Sequence, residues 1–219
     1  MALLAIHGWV LLQELSNPQV TAAIGNCGSE QQLVRLIQQQ LSSMDAISLS
    51  AAIVRLSKLK CREQQLYADC LQRYLKLAPV NPEPHHLSNV IYTLCTAPTA
   101  IMQRHRAAVK QLLPLFVATV SAADPQGISN VLYGLAFSRQ QLGDKAQLLE
   151  AEQLQQLLTA LVCMRQHASA QAVSNTLWAV ATMGQQVPAG QLQQLLTTFV
   201  GMRQHATTQN VSNVLLASA

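Results

Sequence analysis

Leu154, Leu157, Leu158, Leu161 and Met164 recur at the spacing of one helical face, while Gln155, Gln156 and Thr159 occupy the other side. The pattern predicts an amphipathic helix. A short polar break at Gln166 to Ser169 precedes Val173, Leu177, Val180 and Ala181, again at helical spacing, and Gly184 supplies a C-terminal stop. Leu192, Leu195, Leu196, Phe199 and Met202 then restate the first stripe, and Val211 with Leu215 begins to restate the second. The unit is a helical hairpin in tandem. Twenty of the 29 residues from Gln153 to Ala181 recur identically from Gln191 to Ala219, at an offset of 38. A Ser-Asn pair marks the same place in each copy, at Ser88-Asn89, Ser129-Asn130, Ser174-Asn175 and Ser212-Asn213, with Ser50-Ala51 as a weaker first mark. The steps between marks are 38, 41, 45 and 38 residues.

This periodicity predicts an all-α fold, an α-α superhelical solenoid of roughly 38-residue hairpins. Residues 1–29 read as a helical lead-in and residues 30–219 as an array of about five hairpins. Asp124-Pro125 is suited to cap and start a second helix, with Glu83-Pro84 a looser version one unit earlier. The second helices, such as Ile128 to Ala136, are apolar on nearly every side and are expected to be covered by helices of their own and neighbouring units. Pro114 interrupts an otherwise helical run and is expected to kink it, and the extra residues of the longest step fall at Asp144 to Glu152, in a turn. The chain stops three residues before its last helix would reach the expected glycine, which reads as a fragment with an exposed apolar edge at Val211, Leu215 and Leu216.

Composition agrees with helix: half of the residues are apolar, only 4% are aromatic, and Leu, Ala and Gln dominate. The formal charge of +4 matters less than its distribution, because residues 1–54 carry −2, residues 55–110 carry +6 and residues 111–219 are neutral. Positive charge is therefore concentrated between Arg55 and Lys110, where RNA or another acidic partner could be met. The five cysteines are odd in number and lack C-x-x-C spacing, so they read as reduced, buried residues. No apolar stretch approaches the roughly 20 residues of a membrane helix, and membrane insertion is not expected. The N-terminus has its first basic residue at Arg35 and resembles neither a secretory signal nor a transit peptide.

The densest basic features are Arg55, Lys58, Lys60 and Arg62, and Arg104, Arg106 and Lys110 around His105; these are candidates for phosphate contacts. Arg165 and His167 recur as Arg203 and His205 at the ends of two first helices, where they either contact phosphate or answer the helix dipole. Gln155, Gln156, Gln193 and Gln194 occupy equivalent exposed positions, where changes could specify bases; solvated glutamine is the plainer reading. Asn89, Asn130, Asn175 and Asn213 stand three residues before Tyr92, Tyr133, Trp178 and Leu216. Amide and ring could read and stack a base. Alternatively the amide bonds a neighbouring loop and the ring fills space between units. The pair recurs unchanged where a code would vary, which favours the structural reading. No phosphate loop, triad or carboxylate pair stands out, so no enzymatic activity is expected; successive His residues lie about 10 Å apart, too far for zinc. No cofactor is expected.

The segment from Ala172 to Gly184, AVSNTLWAVATMG, resembles the second helix of the octotricopeptide repeat, a family of organelle RNA-binding proteins expanded in green algae. Ile128 to Gly143 and Leu87 to Ala97 are looser versions, and Val20 to Ile24, Gln31 to Ile37 and Leu49 to Leu59 resemble the lead-in repeats of the related FAST-kinase-like proteins. The resemblance implies sequence-selective binding of single-stranded organelle transcripts, in support of RNA maturation, stability or translation, together with other RNA-processing proteins. It implies an organelle location, with chloroplast favoured over mitochondrion. Family members often end in a separate nuclease-like RAP domain; no segment here matches one, and no catalytic step is carried over. Leu216 departs from the pattern, standing where an aromatic residue is expected. A protein-binding helical scaffold is the competing reading, and an RNA-processing enzyme a third.

Overall fold

The computed structural model describes residues 15–61, 63–143 and 147–218. Among them are eleven α-helices and no strand, as the helical periodicity predicts. The odd-numbered helices are α1 (Asn17–Asn26), α3 (Ala46–Lys58), α5 (Pro84–Cys95), α7 (Pro125–Leu142), α9 (Ala170–Met183) and α11 (Thr208–Ser218). The even-numbered ones are α2 (Glu30–Gln40), α4 (Gln64–Leu77), α6 (Thr99–Ala118), α8 (Ala151–Cys163) and α10 (Ala189–Gly201). Each odd helix packs on the next odd helix, from α1 on α3 through to α9 on α11. In the even row α4 meets α6, α6 meets α8 and α8 meets α10. The helices therefore form two rows, with the apolar stripes of each row turned toward the other.

Between the rows lie Leu49, Ile53, Leu87, Ile91, Ile128, Val131 and Val173 from the odd helices and Leu33, Ile37, Leu112, Phe116, Leu157, Leu158 and Leu161 from the even ones. The stripe read from the sequence of α8 is buried from Leu154 to Leu161. Val211, Leu215 and Leu216 are 42%, 66% and 66% exposed.

Capping fixes where the odd helices start. The carboxylates of Asp45 and Asp124 accept from the backbone N–H of Ser48 and Gly127, at 2.8 and 2.6 Å, and Ser169 accepts from Ala172 at 3.1 Å. Thr207 and Asn210 exchange such bonds before α11. Glu83 makes no side-chain cap, leaving Pro84 to open α5. Gly184 ends α9 with φ of 58°, the left-handed geometry that glycine adopts freely. Helix α6 runs on through Pro114, which faces solvent.

The serines of the repeat mark lie in the seam between successive odd helices. Ser50, Ser88, Ser129 and Ser174 are buried, and each satisfies its hydroxyl by donating to the carbonyl three residues before it. Their small size lets the third residue of the next odd helix approach: Ser50 Oγ is 3.2 Å from His86 Nδ1, and a Cβ at Gly127 would sit 3.2 Å from Ser88 Oγ. Thr21 meets Ser48 in the same way at 2.9 Å, which places α1 in the same row.

The two seams and the even row cover three sides of each odd helix from α3 to α9. These helices are packed by neighbouring helices as expected, and the side that remains more open carries the repeated Asn in α5, α7 and α9.

Candidate nucleic-acid interface

Counted from the first residue of each odd helix, positions 2, 6, 9 and 13 fall on that open side, since steps of four, three and four residues stay on one helical face. In α5 the set is His85, Asn89, Tyr92 and Thr96; in α7 it is Gln126, Asn130, Tyr133 and Phe137; in α9 it is Gln171, Asn175, Trp178 and Thr182. Helix α11 adds Gln209, Asn213 and Leu216, and α3 begins the strip differently with Ile47, Ala51, Val54 and Lys58. The position-2 residues are exposed, and the amides and rings of α5, α7 and α9 are half-buried.

The rings line up across units. Tyr133 lies 4.7 Å from Trp178, 6.3 Å from Tyr92 and 6.5 Å from Phe137, centroid to centroid, forming a continuous half-buried band of rings. Burial and the neighbouring Tyr133 raise the Tyr92 phenol above its ordinary pKa, so it stays neutral at physiological pH. Beside the band runs a polar ladder. Gln126 Nε2 donates to Asn130 Oδ1 at 2.8 Å and Gln209 Nε2 to Asn213 Oδ1 at 2.9 Å, while Asn213 Nδ2 crosses to Asn175 Oδ1 at 3.1 Å. Asn89 Nδ2 lies 3.2 Å from His85 Nε2. The loop partner expected for these amides is replaced by side chains. A recess of about 300 Å³ at one end of the strip is lined by Lys58, Asn89, Tyr92, Thr96 and Asn130.

The basic candidates separate into different places. Arg55 directs Nε, at 3.1 Å, and Nη2 onto the Cys27 carbonyl and so closes the C-terminal end of α1. Arg73, on α4, does the same for the turn before α3, donating to the carbonyls of Ser42 and Met44. Lys58 and Lys60 are exposed at the end of α3, and Arg104 reaches Gln64 at the start of α4, so these three share the edge where odd helices end. Lys110 is exposed further along α6, Arg106 is half-buried, and Arg62 lies outside the described residues. Arg165, His167, Arg203 and His205 sit in the short 3-10 turns after α8 and α10, at the opposite edge. Of these, Arg165 donates to the Val162 carbonyl at 2.9 Å and closes its own helix.

The even-row glutamines are on another surface again. Gln155 and Gln156 line an open groove of about 970 Å³ between α6 and α8, over Val117, Val120 and Ala160. Gln193 and Gln194 are exposed on α10. Among the described residues no group of three or more His, Cys, Asp or Glu could hold a metal ion, and no helix is long and apolar enough to cross a membrane.

Sequence reading passed over the position-2 residues and Phe137. The available signal was a Gln or His four residues before each Asn, one helical turn back. An uncharged strip of ring faces and amides with lysines at its edge is equipped to stack and hydrogen-bond unpaired bases. No protein-family model matches this chain, and the search of curated proteins finds no match to it.

Proposed function

We propose that this chain is an α-α superhelical solenoid of roughly 38-residue hairpins that binds single-stranded RNA along the open strip of its odd helices. Bases lie on Tyr92, Tyr133 and Trp178, the amides of Asn89, Asn130 and Asn175 meet their edges, and Lys58, Lys60 and Arg104 face the phosphates. One observation carries the reading. The repeated Asn stands half-buried beside the ring of its own helix in α5, α7 and α9, and it meets the residue one turn earlier in α5, α7 and α11 and Asn213 in α9, so a polar ladder runs beside a row of rings along the open side. The octotricopeptide-repeat resemblance supports the same ligand, with action in organelle RNA maturation, stability or translation, in the chloroplast by preference, and without a catalytic step of its own.

The experiment is a titration of a fluorescent single-stranded RNA decamer against the chain at several salt concentrations. Contacts from Lys58, Lys60 and Arg104 predict a slope of roughly −2 in log affinity against log salt, and replacing the three with Gln is expected to flatten it. Tyr133→Ala is expected to weaken binding by roughly 1 to 3 kcal/mol. Unchanged binding in both variants overturns the assignment.

The competing reading, a scaffold for an apolar peptide, draws on the groove between α6 and α8. Binding there responds little to salt and is blocked by changes at Val117 or Ala160, which leave the strip intact.

A further inference from the structure

Resting on the single-strand reading above, we infer that the strip accepts nucleotides without regard to their order, so that the ligand is any accessible single-stranded RNA of sufficient length. The groups offered to successive bases are alike. In α5, α7 and α9 position 6 is a half-buried Asn and position 9 a half-buried aromatic throughout, and position 2 is an exposed His, Gln and Gln.

Within α7, the bond from Gln126 to Asn130 consumes one donor and one acceptor of the pair. It leaves one of each unused by the pair, Asn130 Nδ2 and Gln126 Oε1, and a donor and an acceptor are likewise left if both amides are turned over together. Every base presents a donor beside an acceptor on its Watson–Crick edge: N6–H and N1 in adenine, N3–H and O4 in uracil, N1–H and O6 in guanine, N4–H and N3 in cytosine. An adjacent amide donor and acceptor therefore meet each base equally well. Stacking on Tyr133 or Trp178 is likewise tolerant, because every base has a π face. Reading an ordered sequence requires different side chains at equivalent positions of successive repeats, as in one-base-per-repeat proteins. Here the equivalent positions are filled alike.

The test compares labelled RNA decamers of identical composition in several shuffled orders, each titrated against the full chain at one fixed salt concentration. Dissociation constants agreeing within about threefold are expected. A spread of tenfold or more among the shuffled decamers overturns the inference while leaving RNA binding intact. Binding of none of them overturns the single-strand reading itself, and this inference with it. An abasic decamer, with the same phosphates and no bases, is expected to bind at least about tenfold more weakly, since stacking is lost; equal binding would show that the strip touches no bases and overturn the inference.

Discussion

Asn130→Ala and Asn175→Ala remove the same residue from the same repeat position, yet the structure predicts different costs. Among the described residues Asn130 Oδ1 accepts from Gln126 Nε2 alone, and Gln126 is exposed. Once freed, that donor turns to water, and Ala is a better helix former than Asn, so the stability change is expected within about 0.5 kcal/mol of zero. Asn175 Oδ1 instead accepts from Asn213 Nδ2, and Asn213 is only 5% exposed. Truncating Asn175 strands a buried donor at a cost of roughly 1 to 3 kcal/mol. For a chain of this size that corresponds to a Tm lower by roughly 3 to 9 °C.

Urea denaturation followed by circular dichroism, alongside thermal melts, measures both variants. Adding Asn213→Ala to Asn175→Ala removes the stranded group and is expected to recover part of the loss, with a coupling energy of about 0.5 to 3 kcal/mol. Both single variants carry one altered base-facing amide, so both are expected to bind RNA more weakly, by about 5- to 30-fold for roughly 1 to 2 kcal/mol. Asn130→Ala then separates the two roles cleanly, with little change in stability and reduced affinity. Equal melting of the two variants, or a larger loss for Asn130→Ala, would refute the assignment of partners. Unchanged RNA affinity in Asn130→Ala would return the repeated Asn to a purely structural role.

Ser129→Leu forces bulk into the closed seam facing α9 and is expected to cost roughly 1 to 3 kcal/mol, whereas Ser212→Leu, at the same position but exposed, is expected to stay within about 0.5 kcal/mol; similar Tm values for the two would count against the seam. His86, beside Ser50, and His105, against the Tyr67 ring at 5.4 Å, are both held below the usual imidazole pKa chiefly by burial, with His85 and Arg104 adding repulsion. Glu83 and Asp45 partly oppose the shift at His86. The unfolded chain then binds more protons, so their contribution is complete above about pH 6.5 and is lost as pH falls below it; urea midpoints at pH 7.5 and 5.5 that coincide would refute this. Cys163 is exposed, whereas burial pushes the thiols of Cys70 and Cys95 up to about 12, so a thiol reagent followed by peptide mapping is expected to mark Cys163 in the native state and Cys70 and Cys95 only after unfolding.

Sequence made the helices legible where local chemistry decides them. Asp124 before Pro125 and Gly184 after α9 appear as caps in the structure because capping involves residues only a few positions apart. Glu83 shows the limit: an acidic residue before proline suggested a cap, yet its side chain makes no such bond. Arg55 and Arg73 show a second limit. Both belong to the basic stretch of the sequence, but their guanidiniums serve backbone carbonyls 28 to 31 residues away, and nothing in local spacing reveals such a partner. Net charge between Arg55 and Lys110 was therefore a poor measure of charge available to a ligand.

The Ser-Asn mark carries the deeper lesson. In sequence the two residues are one signature, and their joint repetition suggested one structural cause. The helix sends them to different sides: the Ser into the seam, where the next helix demands a small residue, and the Asn onto the open strip. Steric demand explains why Ser50, Ser88, Ser129 and Ser174 recur, and it explains why Ser212, with no helix against it, is exposed. It does not reach the Asn. In α5, α7 and α11 the amide meets the residue one helical turn earlier, His85, Gln126 or Gln209, and in α9 it meets Asn213, so the repeated Asn builds a polar ladder along the strip. In α5, α7 and α9 the Asn is only half-buried, and an amide with a single side-chain partner keeps bonding capacity that solvent is left to meet.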